Sequence, residues 1–292
     1  MGTQCEMQLY AQNENQALAA AQSAIDEVRR IEARYSRYRA DSVLSAINQS
    51  SENGKQLQLD DETANLLDYA LICYEKSGGL FDITSGVLRS VWNFSSRQLP
   101  TQNQIDAILP LIGMNKIRWE RPNFLFELRG MEIDFGGIAK EYAADQAAAV
   151  CLSAGIEHGL IELGGDIKVI GPHPDNSPWL VGIRHPRQAD QPLLTLEIFA
   201  GAVATSGDYE RFMLVNGVRY SHLLNPFTGC PVQGLQCASI ITEQCLVAGS
   251  IATIGLLKGA DGKPWLNDSG VRHLWVDEAG KLSGNVFPIN NN

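Results

Sequence analysis

The order of helical and strand-like patterns limits the possible folds of this chain more than any other feature. Apolar residues alternate with polar ones over residues 3–9, which is typical of a half-buried strand. Over residues 18–31 they recur every three or four positions, which is typical of an amphipathic helix. Further patterns of both kinds follow without the regular strand–helix–strand alternation that builds a parallel sheet. The sequence therefore predicts an α+β protein with mostly antiparallel sheets.

Turn signals divide the rest of the chain into shorter elements. A helix near residues 67–74 should end at Gly78-Gly79, because a left-handed helix cap favours glycine. We also predict a short helix within residues 35–48, a hairpin around 121–128, helices at 138–154 and 246–257, and strands at 160–163, 180–183, 194–199, 212–215, 239–242 and 274–276. The sequence shows no repeat and no linker, so we expect one domain over residues 1–292.

Charge and hydropathy exclude several classes of function. The chain carries 33 acidic and 23 basic residues, a net charge of −10, and it lacks the basic run that nucleic-acid phosphates would need. No stretch approaches the roughly 20 apolar residues of a membrane span. No signal peptide opens the sequence. We therefore expect a soluble protein, either cytoplasmic or exported with a signal that this sequence lacks, and the sequence leaves the compartment unknown.

The six cysteines do not indicate a metal or redox site. They form no CxxC pair, and no Cys/His cluster has the spacing of zinc ligands. Cys73 and Cys151 lie within apolar helical patterns, so we interpret them as small core residues.

A glycine turn at Gly136-Gly137 separates a predicted strand from a predicted helix. This arrangement allows backbone N–H groups at a helix N-terminus to meet an anion. Lys140 falls in the first helical turn, where the macrodipole disfavours a cation, so a bound phosphate or carboxylate would explain its position. The alternative is a tight turn with a solvent-facing lysine. The glycines do not follow the dinucleotide pattern GxGxxG.

Two other glycine-rich segments allow both a functional and a structural interpretation. Asp82 follows Phe81 at a helix end, where a carboxylate can bind a ligand or cap the next helix. Gly164-Gly165 follows an apolar strand, where glycine permits either close approach of a ligand or a simple turn.

Later in the chain, several residues with hydroxyl groups lie close in sequence to a histidine. We expect these residues on loops between strands. Ser206, Asp208 and His222 contain the residue types of a hydrolytic triad. The chain has no GxSxG turn to present the serine, so the sequence does not favour that chemistry.

Eight segments in this order resemble the ApbE family, the FAD:protein FMN transferases. They are MGT (1–3), SRYRADSVLSAIN (36–48), GGLFDITSG (78–86), IDFGGIAKEYAAD (133–145), IELGGDI (161–167), ATSGDYER (204–211), HLLNPFTGCP (222–231) and AGSIATIGLLKG (248–259).

The resemblance implies a T-fold-like architecture with two lobes around a flavin cleft. It also implies a reaction in which a threonine or serine hydroxyl of an acceptor flavoprotein attacks the FMN phosphorus of FAD and AMP leaves, a protein flavinylation. Mg²⁺ would assist by neutralising charge on the pyrophosphate. FAD and the acceptor protein are thus the implied partners.

The resemblance further implies the role of individual residues. His222 would be the general base, and Thr253 and a backbone oxygen near Gly137 would bind the metal. Flavin or cleft contacts are implied at Met1, Tyr38, Leu80, Phe81, Asp82, Asp134, Lys140, Thr205, Ser206, Gly207 and Leu223.

The chain departs from the family at three of these segments. The family carries aspartate where this chain has Gly249, four residues before Thr253 and on the same helical face, and usually aspartate where it has Asn225. It often carries glycine where this chain has Glu141. Because Mg²⁺ prefers anionic oxygens, loss of the helix carboxylate should weaken metal binding severely unless Asp166 or Asp208 replaces it.

Three functions follow from the resemblance and its departures. The first is an active FMN transferase. The second is an FAD-binding relative with weak or no transfer, which the replacements at Gly249 and Asn225 motivate. The third is a hydrolase in which water takes the place of the acceptor hydroxyl.

Overall fold

The computed structural model describes residues 3–96, 98–188 and 190–286. The chain divides into two compact units. Unit 1 comprises Met1–Glu32, Ile138–Tyr209 and Gly234–Asn292, and unit 2 comprises Ala33–Gly137 and Glu210–Gln233. Within the described residues, no helix has both the length and the apolar character that a membrane crossing requires.

Unit 1 is built on a seven-stranded sheet in the order β1-β5-β6-β9-β12-β13-β14, in which every neighbouring pair is antiparallel. A separate antiparallel hairpin consists of β7 and β8. The strands are β1 (Cys5–Tyr10), β5 (His158–Leu163), β6 (Asp166–Gly171), β7 (Trp179–Arg184), β8 (Pro192–Ile198), β9 (Gly201–Gly207), β12 (Leu235–Thr242), β13 (Arg272–Asp277) and β14 (Leu282–Gly284).

Alternation along the strands gives the sheet two covered faces. Val169, Val203 and Ile241 pack with the inward residues of the β7–β8 hairpin in one apolar cluster. The helices α5 (Ala139–Ser153), α6 (Cys245–Leu257) and α7 (Gly262–Asp268) contact strands of this sheet, and α1 (Glu14–Tyr35) begins in unit 1. The 3-10 helix Gly259–Asp261 joins α6 to α7.

Unit 2 is mainly helical, with two small antiparallel sheets in the order β2-β4-β3 and β10-β11. Its helices are α2 (Val43–Asn53), α3 (Asp61–Ser77) and α4 (Gln102–Ile108), with 3-10 helices at Ile83–Ser90, Leu109–Leu111 and Met114–Lys116. Its strands are β2 (Leu57–Gln58), β3 (Ile117–Glu120), β4 (Asn123–Phe126), β10 (Phe212–Val215) and β11 (Val218–Ser221). As predicted, α3 ends where the two glycines begin, because Gly78 caps the helix with a left-handed φ of 71°.

The predicted fold class is confirmed, but one local prediction is wrong. Thr205, Ser206 and Gly207 were expected on a loop, whereas they lie in β9, between β6 and β12 of the sheet. Small residues with hydroxyl groups can occupy this strand because they make contacts with side chains of the neighbouring strand. Thr205 Oγ1, for example, lies 2.7 Å from Ser239 Oγ on β12. Cys73 and Cys151 are buried, as predicted.

Helix α6 receives its N-terminal cap from another helix. Gln244, which precedes it, makes no side-chain cap. The Asp145 carboxylate on α5 instead accepts hydrogen bonds from the backbone N–H groups of Cys245 and Leu246, each at 2.9 Å. Burial raises the pKa of Asp145, and these two N–H groups oppose that shift. One side chain therefore satisfies orphan donors at the helix start and fixes α5 against α6.

Replacing this remote cap should destabilise the protein. For Asp145→Ala we expect a loss of about 1–2 kcal/mol in the free energy of unfolding, the range for a lost helix cap. The measurement is urea unfolding followed by far-UV circular dichroism. Asp26→Ala, at an exposed position of α1, is the matched control and should change stability by less than about 0.5 kcal/mol. Equal effects of the two substitutions would show that Asp145 does not cap α6.

Candidate active site

A buried aspartate links two of the predicted site residues in unit 1. Asp166 begins β6, just after the turn at Gly164 and Gly165, and is 2% exposed. Its Oδ1 accepts the Thr205 backbone N–H at 3.0 Å, and its Oδ2 forms an ion pair with Lys140. The structure therefore brings Lys140 and Thr205 together through Asp166.

Lys140 lies in the first turn of α5, where the macrodipole disfavours its charge. The sequence indicated a bound anion as the compensating group. In the structure, two carboxylates of the protein take that place, since Lys140 Nζ pairs with Asp166 and lies 3.2 Å from Glu141 Oε1. A phosphate is thus not needed to explain the position of the lysine, and its contact with FAD stays a prediction.

A pair of hydroxyl groups connects the sheet to α6. Ser206 Oγ on β9 lies 2.8 Å from Thr253 Oγ1. When Thr253 donates its proton in this bond, both of its oxygen lone pairs remain available to another group. Gly207, the next residue, has no room for a side chain, because a Cβ there would lie 2.4 Å from the Tyr209 ring.

Glu141 occupies the space beside Gly249. A Cβ placed on Gly249 would lie 2.5 Å from Glu141 Cγ and 3.1 Å from its Oε1. Glu141 is only 7% exposed, and its Oε2 has no hydrogen-bond partner among the described residues. Within those residues, no group of three or more His, Cys, Asp or Glu side chains is arranged to hold a metal ion.

In unit 2, Asp134 is the centre of a second polar cluster. Its Oδ2 forms an ion pair with Arg37, and its Oδ1 accepts the Gly136 backbone N–H at 2.8 Å. Arg37 also donates to the Tyr38 hydroxyl at 2.9 Å and thereby lowers the pKa of Tyr38. The Tyr38 side chain is 80% exposed, so its ring is accessible to a ligand.

The sequence allowed Asp82 either a ligand-binding or a helix-capping role, and its contacts in the structure are those of a helix cap. Asp82 is buried, and its carboxylate accepts from the backbone N–H and the hydroxyl of Thr84 and from the Met114 N–H, so it caps the 3-10 helix that follows. Burial raises the pKa of Asp82.

Phe81 is also buried and packs beside Gly137, whose Cβ position lies 3.3 Å from the Phe81 ring. Leu80 is half-buried, and flavin contacts of all three residues stay predictions.

His222 has one ring nitrogen engaged and one available. It follows β11 directly, and its Nδ1 lies 3.1 Å from the Arg211 backbone oxygen. A carbonyl oxygen only accepts, so Nδ1 carries the proton and Nε2 presents its lone pair. Burial lowers the pKa of His222 to about 4, and the positive charges of Arg211 and Arg37 act in the same direction. The imidazole is therefore neutral at physiological pH.

The segment after His222 is held by Asn225. Its Oδ1 accepts the backbone N–H groups of Phe227 and Thr228 at 2.8 and 3.2 Å, and its backbone bonds with Cys230 and Gly229 close the turn. An amide oxygen accepts these bonds as a carboxylate would, so Asn225 holds the turn as the aspartate implied by the resemblance would. Leu223 is half-buried next to His222.

The contacts within unit 1 do not support the hydrolytic triad. The carboxylate of Asp208 is held in a two-pronged ion pair by Arg187, with both distances 2.7 Å. The partner of Ser206 is Thr253.

The structure adds Arg37, Glu141 and Arg211 to the predicted site residues. Arg37 lies in the segment SRYRADSVLSAIN that carries the resemblance, and Glu141 is one of the departures from it. Arg211 acts through its backbone oxygen, which no sequence pattern reveals. Met1 lies outside the described residues.

The sequence of this chain is similar to those of known proteins. The sequence matches the ApbE family over residues 1–275. The FAD:protein FMN transferase of Vibrio cholerae serotype O1 is 30% identical over 233 residues, covering 77% of this chain and 69% of that protein. The FAD:protein FMN transferase of Treponema pallidum is 29% identical over 282 residues, covering 89% and 77%.

Solved structures agree with the sequence match. The crystal structure of the ApbE protein from Thermotoga maritima superposes with a TM-score of 0.89 at 32% identity, covering 97% of this chain and 94% of that one. Because sequence and fold agree over nearly the whole length, the chain belongs to the ApbE family.

Proposed function

We propose that this chain transfers the FMN half of FAD to a threonine or serine hydroxyl of an acceptor flavoprotein and releases AMP. Family membership supports the reaction class, since relatives that align with most of the chain are FAD:protein FMN transferases. The structural observation that carries the proposal is His222, a neutral imidazole whose Nδ1 is fixed by a backbone carbonyl.

The proposed reaction needs a base and a place for the negative charge. Nε2 of His222 takes the proton of the acceptor hydroxyl as its oxygen bonds to the FMN phosphorus. The bond from that phosphorus to the bridging oxygen breaks, and AMP leaves with the electron pair. The Arg211 carbonyl keeps the imidazole in the tautomer that can accept a proton and becomes a stronger partner once the ring is charged.

In unit 2, exposed and half-buried side chains of predicted residues are available to the flavin. Tyr38 offers an open ring, and Leu80 and Leu223 offer apolar surface. The bonds from Arg37 orient Asp134 and Tyr38, so a ligand would meet side chains that are already positioned.

The donor chemistry of unit 1 fits a magnesium ion. The hydroxyl of Thr253, oriented by Ser206, is a hard oxygen donor, and the same unit holds a buried carboxylate oxygen without a hydrogen-bond partner among the described residues. These residues would hold Mg²⁺, which would supply neutralisation of the negative charge on the pyrophosphate. A backbone ligand near Gly137 stays a prediction from the resemblance.

The test of the proposed function is covalent labelling of an acceptor. Flavin-stripped protein, FAD, Mg²⁺ and an acceptor flavoprotein with a threonine-linked FMN site are mixed, and the mass of the acceptor and released AMP are measured. We expect each labelled acceptor to gain the mass of FMN minus one water, and one AMP to be released for each acceptor labelled. AMP release without labelling would indicate the hydrolase instead, and FAD binding without either product would indicate the non-transferring relative.

Removing the proposed base should lower transfer without preventing FAD binding. For His222→Asn we expect the single-turnover rate to fall about 10²–10⁴-fold, the range for loss of a general base. Quench-flow measurement of labelled acceptor gives the rate, and calorimetry gives FAD affinity. His158→Asn is a matched control, since His158 also bonds to a backbone carbonyl through Nδ1, and it should keep the wild-type rate. Wild-type transfer by His222→Asn would exclude His222 as the base.

The low pKa of His222 predicts the acid side of the pH profile. With a pKa of about 4, the imidazole of His222 stays mostly neutral above about pH 5, so the single-turnover rate should stay level from about pH 7.5 to pH 5.5. A histidine with an ordinary pKa near 6.5 would lose roughly tenfold over the same interval. An inflection near pH 6.5 that disappears in His222→Asn would show that burial does not lower the pKa of His222.

A further inference from the structure

The buried carboxylate of Glu141 lies beside Gly249, at the place where a side chain of α6 would begin. Glu141 is in the first turn of α5, and its Cγ is 2.5 Å and its Cδ 3.1 Å from the Cβ position of Gly249 on α6. Any side chain at position 249 would have to share this space. The absence of a side chain on Gly249 is thus what admits Glu141.

This position places the Glu141 carboxylate close to the helical face that carries Thr253. Residues 249 and 253 are four apart in α6, so they lie one turn apart on the same face. The Thr253 hydroxyl is oriented by Ser206, with an oxygen separation of 2.8 Å. A carboxylate and a hydroxyl, both hard oxygen donors, therefore converge on one stretch of α6.

One oxygen of Glu141 is left without a partner. Oε1 lies 3.2 Å from Lys140 Nζ, whereas Oε2 is buried and has no hydrogen-bond partner among the described residues. The side chain as a whole is 9% exposed, so water does not solvate it freely. A buried anionic oxygen is unfavourable unless a cation or a donor meets it.

The other carboxylates of unit 1 that the sequence offered as metal ligands are already engaged. Asp166 pairs with Lys140 and accepts the Thr205 N–H. Asp208 is held by both terminal nitrogens of Arg187. The ammonium of Lys140 is shared between Asp166 and Glu141, so this cluster carries one more negative than positive charge.

We infer that Glu141 is the carboxylate ligand of a divalent cation in this chain, with Thr253 as its neighbouring hydroxyl ligand. The inference rests on the proposed function, because it names the residue that would hold the magnesium of that reaction. It makes the glutamate of α5 the substitute for a carboxylate borne by α6, through a paired exchange at positions 141 and 249.

The first experiment measures metal binding without reference to transfer. Mn²⁺ is titrated into the full chain with bound FAD and no acceptor, and free Mn²⁺ is followed by electron paramagnetic resonance. Calorimetry gives FAD affinity with and without Mg²⁺. We expect Glu141→Gln to weaken Mn²⁺ binding at least tenfold and to abolish the strengthening of FAD binding by Mg²⁺, while FAD affinity without metal changes less than twofold.

Glu197→Gln is the matched control, because Glu197 is an exposed glutamate of β8, and it should leave Mn²⁺ binding unchanged. The thermal midpoint of each variant, measured without metal, reports on folding. Wild-type Mn²⁺ affinity in Glu141→Gln would overturn the inference, as would wild-type protein that binds FAD equally with and without Mg²⁺.

The exchange itself gives a second test. Gly249→Asp alone should not improve metal binding, because its Cβ would displace Glu141 and set two carboxylates side by side. Glu141→Gly alone should lose Mn²⁺ binding, and Glu141→Gly combined with Gly249→Asp should recover it at least tenfold over Glu141→Gly. Failure of the double variant to recover binding, with a wild-type thermal midpoint, would count against the paired exchange.

These experiments distinguish a failure of the metal-ligand proposal from a failure of the transferase proposal. Loss of Mn²⁺ binding in Glu141→Gln, together with no FMN transfer by the wild type, would support the metal ligand and refute the transferase. Mg²⁺-dependent transfer by the wild type that persists unchanged in Glu141→Gln would support the transferase and refute the ligand.

Discussion

The close packing of α5 against α6 is the constraint on which the candidate site of unit 1 depends. Gly249 on α6 has no side chain, and its Cβ position lies 2.5 Å from Glu141 Cγ on α5, so the two helices approach closely at this point. Asp145 then fixes their register by capping α6. Because of this register, the charged first turn of α5 lies beside the Gly249 position of α6, one turn from Thr253.

Much of the fold could be predicted because its elements have strong local signals. Three examples are the periodicity of residues 18–31, the glycines after α3 and the hairpin at β3–β4. In each case, the residues of the element themselves carry the pattern that predicts its structure. Strand β9 could not be predicted in this way. Its hydroxyl-rich end has the composition of a loop, and its strand conformation is set by pairing with β6 and β12. Local composition cannot report partners that lie tens of residues away.

The sequence indicated residue types for a candidate site but not the contacts that they make. The order of motifs indicated Lys140, Asp134 and His222, and the structure gives each a defined partner. The sequence did not indicate that Asp166 and Glu141 would neutralise Lys140. Nor did it indicate that a backbone oxygen would set the tautomer of His222. Such contacts join separate elements, so they exist only once the chain has folded.

The two positions at which the resemblance implies aspartate differ in what this chain places there. At Asn225 the side-chain oxygen accepts two backbone N–H groups, a task for which an amide and a carboxylate are equivalent. Gly249 has no side chain, and the carboxylate of Glu141 on α5 occupies the space beside it. Unit 1 thus has a carboxylate next to this position of α6, although α5 carries it. The absence of a carboxylate at one position of a helix therefore removes that group from its surroundings only where no neighbouring side chain brings it to the same place.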